Sequence, residues 1–193
     1  EDLIAIGYGG CIIANTVANG DFTLKDDNNF TINGEFNKYT TDKISPTIII
    51  CSGTATTVSI VDKDGNLDIV SIATGITKST NALFSGTALL KSFDLNNTEP
   101  KINDTFGCIV NGQAVMQALG HKAFADKMNK ELLDDNPNTL KLITGGAAPL
   151  FAKYINEKEP NTNMQDRNTW YHISNLIPIG LSGLYYINKK EIS

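Results

Sequence analysis

The stretch from residue 47 to residue 73 constrains the fold of this chain more than any other part of it. An apolar, β-branched run at 48–50 enters a Gly-Thr turn at 53–54, and an alternating stretch at 55–61 follows. Residues 63–66 (Lys-Asp-Gly-Asn) are typical of the tight turn that joins two antiparallel strands. The pattern predicts strand, turn, strand, hairpin, strand, so this chain is expected to build a β-sheet around the unit.

The Gly-Thr turn is also the first candidate for a ligand site. Glycine lets a backbone approach a ligand closely, and successive backbone N–H groups can form a concavity that binds an anion. Threonine hydroxyls add hydrogen-bond donors beside them. We therefore predict that Gly53, Thr54 and Thr56 contact the phosphates of a nucleotide.

The N-terminal region gives a similar but weaker pattern. Residues 3–7 and 11–14 are predicted to be short strands joined by a turn at Tyr8-Gly9-Gly10, and Asn19-Gly20 is typical of a hairpin. The polar stretch 21–45 is predicted to be a hairpin or loop.

We therefore interpret 1–46 as a first, reduced β-unit with its loop, and 47–193 as a second lobe. The two parts could also form one compact domain. Trp170 and Tyr171, near the end of the second part, are expected either at a subunit contact or in a small core cluster.

The rest of the chain is predicted to be mainly helical. The Gly145-Gly146 turn follows a strand and leads directly into a helix, so its glycines are expected to bring the helix N-terminus close to an adenosine or phosphate group. Asn103, Asp104 and Thr105 are candidate N-caps. The expected elements are helices at 79–90, 106–133 (bent near Gly120), 147–157 and 175–189, a loop at 91–103 and a strand at 140–144.

Composition excludes several classes of function. The chain of 193 residues has a net charge of −5 with both signs interspersed, which argues against a nucleic-acid partner or an anionic membrane surface. No apolar segment is long enough to cross a bilayer. The three cysteines have no metal-ligand spacing, and the two histidines are far apart. We therefore predict free thiols, a cytoplasmic protein and no protein-bound metal site of the Cys/His kind.

Four blocks, in order along the chain, resemble the type III pantothenate kinases, a family that includes the Bvg accessory factor-like proteins. Residues 51–57 (Cys-Ser-Gly-Thr-Ala-Thr-Thr) are similar to the family's Asp-Phe-Gly-Thr-Ala-Thr-Thr, and 72–84 to its Ala-Pro-Gly-Ile followed by Ala-Leu-Phe. The third block is Asp104-Thr105 with Gly112, which resembles the family's Lys-Asn-Thr to Gln-Ser-Gly segment. The fourth is residues 144–150 (Thr-Gly-Gly-Ala-Ala-Pro-Leu), which resemble its Thr-Gly-Gly-Leu-Ala-Pro-Leu turn. The resemblance covers residues 47–155 well and the C-terminal helix loosely.

The resemblance implies ATP-dependent phosphorylation of pantothenate, the first step towards coenzyme A. It implies an α/β fold of the acetate and sugar kinase, heat-shock ATPase and actin superfamily, which is ribonuclease H-like with duplicated β-units, here at 3–20 and 47–73. The resemblance also implies that ATP binds with magnesium and that the enzyme needs a monovalent cation (K⁺ or NH₄⁺). It further implies a dimer with pantothenate near the subunit interface. Gly145, Gly146 and Ala147 would lie on the adenosine side, and Thr105 would contact pantothenate.

The sequence departs from the family where carboxylates are expected. The family's first phosphate loop, Asp-x-Gly-Asn-Thr, aligns with Gly7–Cys11, so Gly9 and Gly10 stay phosphate candidates while the aspartate is lost. Cys51 replaces the aspartate that opens the second phosphate motif. Neither replacement offers the hard oxygen ligand that magnesium prefers. Asp42 is the local candidate for the family's catalytic base, although a plain hairpin turn at Gly9-Gly10 and a solvated loop at Asp42 are alternatives.

The ordered blocks disfavour an unrelated actin-like ATPase domain, such as a filament or chaperone fragment, so two functions stay open at this point. The chain is either an active pantothenate kinase or a non-catalytic member, acting as the partner subunit of a hetero-oligomeric kinase or as a regulatory binding protein. A homodimer and a hetero-oligomer with a second family chain are both compatible with the sequence. The two functions differ in whether a carboxylate reaches the Gly53-Thr54 turn.

Overall fold

The computed structural model of the chain describes residues 2–34, 36, 45–87, 90–156, 160 and 162–191. These residues form an α/β structure in which helices pack on both faces of a mixed five-stranded sheet, and a separate two-stranded hairpin lies beside it. The strands are β1 Phe22–Leu24, β2 Phe30–Ile32, β3 Thr47–Ser52, β4 Ala55–Val61, β5 Leu67–Thr74, β6 Leu140–Thr144 and β7 Trp170–His172. The helices are α1 Asp2–Asn19, α2 Ile76–Ser85, α3 Thr105–Val110, α4 Met116–Leu132, α5 Ala148–Ile155 and α6 Leu176–Glu191.

The predicted β-unit is confirmed as β3, β4 and β5. The strand order in the large sheet is β5-β4-β3-β6-β7; β4 is antiparallel to both of its neighbours, whereas β3, β6 and β7 are parallel to one another. The turn between β4 and β5 is held by the Asp62 carboxylate, which accepts hydrogen bonds from the backbone N–H groups of Asp64 (2.8 Å) and Asn66 (2.9 Å). Gly65 in this turn has φ +83°, which glycine adopts without strain.

The strands of the central sheet divide the hydrophobic core into two layers. Ile48 and Ile50 pack with α2, α4 and α5 on one face, while Ile49 between them packs with α1 and α6 on the other. This alternation follows from the two-residue period of a strand, and it makes β3 apolar on both faces. Trp170 and Tyr171 are fully buried in the two layers, one in each. The expectation of a subunit contact or a minor cluster at these two residues is therefore wrong.

The predicted N-terminal β-unit is wrong. Residues 2–19 form a single helix, α1, so the described residues contain no duplicate of the β3–β5 unit. Gly9 and Gly10 lie inside this helix and are buried; a Cβ at Gly9 would come within 2.5 Å of the Leu176 carbonyl oxygen. The glycines serve close packing of α1 on α6 and β3, and this tertiary contact overrides the local strand-and-turn pattern.

Asn19-Gly20 ends α1 instead of turning a hairpin. Gly20 has φ +75°, its N–H donates to the Val17 carbonyl (3.2 Å), and the N–H of Asp21 donates to the Thr16 carbonyl (3.2 Å). This pair of bonds is a Schellman motif, the common glycine-dependent end of a helix. The hairpin predicted within 21–45 does form, as β1 and β2, but after this helix end.

Two other predicted helices differ from expectation, whereas the cap of α3 agrees with it. α2 starts at Ile76 and ends at Ser85, earlier than the helix predicted at 79–90, of which residues 88 and 89 lie outside the described part. The long helix is interrupted by a π-helical turn at Asn111–Val115, and Gly120 is an ordinary position of α4. The Asp104 side chain caps α3 as predicted, by accepting from the N–H of Gly107 (2.8 Å).

The elements predicted at 140–144, 147–157 and 175–189 are present as β6, α5 and α6. Within the residues that the structure describes, no helix combines the length and the hydropathy needed to span a membrane. The division of the chain at residue 46 into two lobes stays a prediction.

Gly180→Ala should destabilise the protein strongly. A Cβ at this position of α6 would overlap the carbonyl oxygen of Ala5 and lie 2.9 Å from the N–H of Gly9, and backbone atoms cannot move aside as a flexible side chain can. We expect the free energy of unfolding to fall by at least about 2 kcal/mol. Gly120→Ala, where nothing lies within 4 Å of the added atom, should raise it by about 0.5–1 kcal/mol.

Urea denaturation followed by circular dichroism measures both variants. Equal stability of the two would show that α1 and α6 do not pack through backbone contact at Gly180.

Candidate functional site

The candidate site lies where the carboxyl ends of β3 and β6 meet. These strands are parallel neighbours with Cys51 opposite Thr144, so the turns that follow them come side by side. The first turn carries Gly53-Thr54 and the second carries Gly145–Ala147. In an open α/β sheet, this is the edge where ligands usually bind.

Backbone contacts join the two turns. The N–H of Ala147 in the second turn donates to the Ser52 carbonyl just before the first turn (2.9 Å). A second bond links the start of α2 to the first turn: the N–H of Gly75 donates to the Thr54 carbonyl (3.1 Å). Gly145 has φ +96°, and a Cβ there would lie 2.5 Å from the Ser52 carbonyl oxygen. Gly145 therefore makes the close approach of the two turns possible, because no larger residue fits between them.

A cleft of about 560 Å³ opens in front of the two turns. This is within the usual volume of a small-molecule site. Its walls are the two turns, the first turns of α2, the loop at 92–96 and the start of α5. The lining residues are Gly53, Thr54, Ile76, Thr77, Lys78, Thr80, Asn81, Phe84, Ser92, Phe93, Asp94, Leu95, Asn96, Gly146, Ala147 and Leu150.

Four of the residues predicted for nucleotide contact come together in this cleft. Gly53 and Thr54 line it from the first turn, and Gly146 and Ala147 from the second. Gly145 lies behind them, packed against Ser52.

The other predicted site residues lie elsewhere. Thr56 is fully buried in β4, where its hydroxyl is 3.4 Å from that of Ser52, and it does not line the cleft. Thr105 is the exposed first residue of α3 and is also outside the lining. Gly9 and Gly10 pack under the opposite face of the sheet, so the predicted phosphate turn at these two glycines is wrong. Asp42 is outside the described residues.

Sequence reasoning missed the contribution of α2. The N-cap of this helix is Gly75, whose lack of a side-chain cap leaves the first N–H groups pointing out of the helix end, and Thr77, Lys78 and Asn81 follow in the lining. A helix N-terminus and a lysine both favour a negatively charged ligand. The available signal was Gly75 before an apolar residue, in the block 72–84 that the sequence analysis used only for the family resemblance.

One carboxylate lines the described part of the cleft, that of Asp94. It accepts hydrogen bonds from the N–H of Asn96 (2.9 Å) and the side-chain amide of Asn97 (2.6 Å). Because these bonds cap the short 3₁₀ helix Leu95–Asn97, the Asp94 carboxylate already has a structural task.

Cys51 does not supply a metal ligand to the cleft. It packs with the core layer of α1 and α6, and burial, with a smaller effect of the Asp2 charge, raises the pKa of its thiol. The thiol is therefore neutral at pH 7. Among the described residues, no group of three or more His, Cys, Asp or Glu side chains could hold a metal ion. The cleft thus fits an anionic phosphate, and its described residues offer a magnesium ion one carboxylate, which is already hydrogen-bonded within its own loop.

Comparison with known proteins gives one consistent family. The model of the type III pantothenate kinase family matches residues 34–125. A type III pantothenate kinase of Desulfosudis oleivorans is 33% identical over 138 residues, which are 68% of this chain and 51% of that protein. One of Azoarcus sp. is 33% identical over 110 residues, 57% of this chain and 40% of that protein. The chain is thus related to the type III pantothenate kinases, as its motifs predicted.

The extent of these matches is partial. The chain spans about half the length of the curated relatives that it matches. A solved structure of a Baf family protein from Campylobacter jejuni superposes with a TM-score of 0.45 at 17% identity, covering 79% of this chain and 61% of that one.

Gly145→Ala should disrupt the site from behind. A side chain at residue 145 would strain the left-handed backbone and clash with the backbone of Ser52. We therefore expect the free energy of unfolding to fall by about 1–3 kcal/mol. The neighbouring Gly146→Ala is the matched control: Gly146 is exposed, and nothing lies within 4 Å of the added Cβ. Its effect should stay within about 0.5 kcal/mol. Thermal melts of both variants test this, and a Gly145→Ala protein as stable as Gly146→Ala would refute the packing role.

Proposed function

We propose that this cleft binds the phosphates of ATP and that the protein is a type III pantothenate kinase, transferring a phosphoryl group from ATP to pantothenate in coenzyme A biosynthesis. One observation carries the proposal: the Gly53-Thr54 and Gly146-Ala147 turns, predicted separately from two motifs, line the same cleft. The family relationship gives the reaction its identity.

The fold supports a nucleotide site of the actin-like kind. Three antiparallel strands, followed through helices by two parallel strands on the far side of β3, form the sheet β5-β4-β3-β6-β7. This arrangement fits one ribonuclease H-like unit of the superfamily of acetate and sugar kinases. In such a unit the two turns after β3 and β6 are the natural place for the phosphates of the nucleotide.

Each part of the cleft has a role in this proposal. The N–H groups of Gly53 and Ala147 already donate to backbone carbonyls, so the turn donors left for phosphate oxygens are those of Thr54 and Gly146. The first N–H groups of α2 and the hydroxyls of Thr54 and Thr77 add further donors. Lys78 neutralises phosphate charge. Phosphoryl transfer depends mainly on positioning and on charge neutralisation, and these residues supply both for the donor nucleotide.

The described cleft accounts for fewer of the contacts that the acceptor pantothenate and the cations would need. Thr105, exposed at the start of α3, would contact pantothenate, as the family resemblance implies. Magnesium is the hard cation expected with ATP, yet the only carboxylate in the described lining caps a 3₁₀ helix. The missing oxygen ligands, and any site for K⁺ or NH₄⁺, must therefore come from another segment or from a partner chain, in a homodimer or a hetero-oligomer.

Thr54→Val should weaken ATP binding without unfolding the protein. The substitution keeps the β-branched shape of an exposed residue and removes one hydroxyl donor, so we expect the dissociation constant to rise about two- to tenfold. Thr23→Val, on the exposed face of the β1–β2 hairpin, is the control and should leave ATP affinity unchanged. Isothermal titration calorimetry measures both. No ATP binding by the unsubstituted protein would refute the nucleotide site.

Pantothenate phosphorylation should depend on assembly. Native mass spectrometry separates monomer from oligomer, and each fraction is then assayed with ATP, magnesium and potassium, alone and after addition of a second chain of the family. We expect turnover by an assembly that supplies carboxylates, and none by the monomer. A fully active monomer would refute the shared site. ATP binding with no turnover in any assembly would refute the kinase and leave a binding or regulatory protein.

A further inference from the structure

One side of the cleft is aromatic, and the phosphate contacts do not use it. Phe84 of α2 and Phe93 of the following loop both line the cleft and are half-buried. Their ring centroids are 5.5 Å apart with an interplanar angle of 66°. The pair therefore presents an apolar wall to the space in front of the turns.

The wall is held in place from behind. The Phe93 ring also meets Phe106 of α3 edge to face, with centroids 5.0 Å apart, and Phe106 is not part of the cleft lining. Such edge-to-face pairs are the favoured arrangement of aromatic rings and restrict the rotamers of both partners. Phe93 is consequently fixed by a contact outside the site, which is the condition for a preformed binding surface.

The wall and the phosphate turns are separated by a distance that one ligand can bridge. Ile76 at the start of α2 and Phe84 both line the cleft, and at 1.5 Å per residue they are about 12 Å apart along the helix axis. A ligand lying along α2 would thus meet N–H donors and Lys78 at one end and aromatic rings at the other. A nucleotide has this polarity, with phosphates at one end and a planar base at the other.

We propose that Phe84 and Phe93 form the surface on which the planar heteroaromatic base of the nucleotide packs. This inference rests on the proposed function, because the phosphates at the two turns direct the base towards the wall. Leu150 of α5 contributes apolar surface to the same cleft. Asn81, exposed in the turn of α2 before Phe84, also lines the cleft, and its amide offers a hydrogen-bond donor and an acceptor to the edge of a base.

The occupant follows from the chemistry of the two ends. An aliphatic phosphate ester would use the turns and gain only apolar contact from the rings. A planar base gains that contact and also stacks on the aromatic side chain, which stabilises binding whatever the identity of the base. The surface therefore adds affinity for nucleosides in general, and base selectivity rests on groups such as the Asn81 amide.

The test separates base from phosphate. Calorimetry measures the affinities of ATP and of inorganic tripolyphosphate for the unsubstituted protein and for Phe93→Leu, Phe84→Leu and Phe106→Leu. We expect ATP to bind roughly tenfold or more tightly than tripolyphosphate, and Phe93→Leu and Phe84→Leu to remove most of this difference while tripolyphosphate binding stays unchanged. Phe106→Leu removes the ring contact that positions Phe93 but leaves both rings of the cleft in place, so it should reduce the difference only in part.

The outcomes distinguish this inference from the function on which it rests. If tripolyphosphate and ATP bind equally well, the aromatic wall is refuted and the phosphate site stands. If neither binds, the proposed function fails and the inference fails with it. If Phe106→Leu abolishes the difference as fully as Phe93→Leu does, the rings act only through stability.

A direct measurement on the unsubstituted protein covers the case in which the leucine variants do not fold. Nuclear Overhauser effects between the base protons of bound ATP and phenylalanine ring protons are expected. Their absence in an ATP-saturated sample would overturn the assignment.

Discussion

The parallel pairing of β3 with β6 is the interaction on which the site depends. It places Cys51 opposite Thr144 and so brings two turns together that are distant in sequence. The bond from the Ala147 N–H to the Ser52 carbonyl then joins them, and Gly145 leaves room for that approach. The two turns at these strand ends and the start of α2 after Gly75 line the cleft together.

The opposite face of the sheet shows how glycine can serve a purely structural purpose. Gly9 and Gly180 allow α1 and α6 to approach until their backbones touch, and Gly10 leaves room for Ile49 of β3. The same residue type thus serves helix packing on one face and a ligand-facing turn on the other. Composition alone does not separate the two uses, because both need the absence of a Cβ.

The electrostatics of the cleft are one-sided. Helix N-termini, turn N–H groups and Lys78 favour an anion, whereas the carboxylate of Asp94 is engaged in its own loop and the thiol of Cys51 is neutral and faces away. Such a site favours a negatively charged ligand, and its described lining offers a cation one carboxylate. The chain is related to the type III pantothenate kinases and spans about half the length of the curated relatives that it matches.

The sequence by itself determined the β3–β5 unit, the strand-turn-helix at 140–155 and the family, because these depend on local alternation, on turn residues and on motif order. Only the tertiary structure decided that residues 2–19 are a helix, since a run of glycine, alanine and isoleucine suits a helix or a strand until it meets α6. It also decided which motif residues reach the cleft: Thr54 lines it, while Thr56, two residues on, turns into the sheet. That α2 and Phe93 line the same cleft could not be predicted from the sequence. These residues are close to the two turns only in the folded structure.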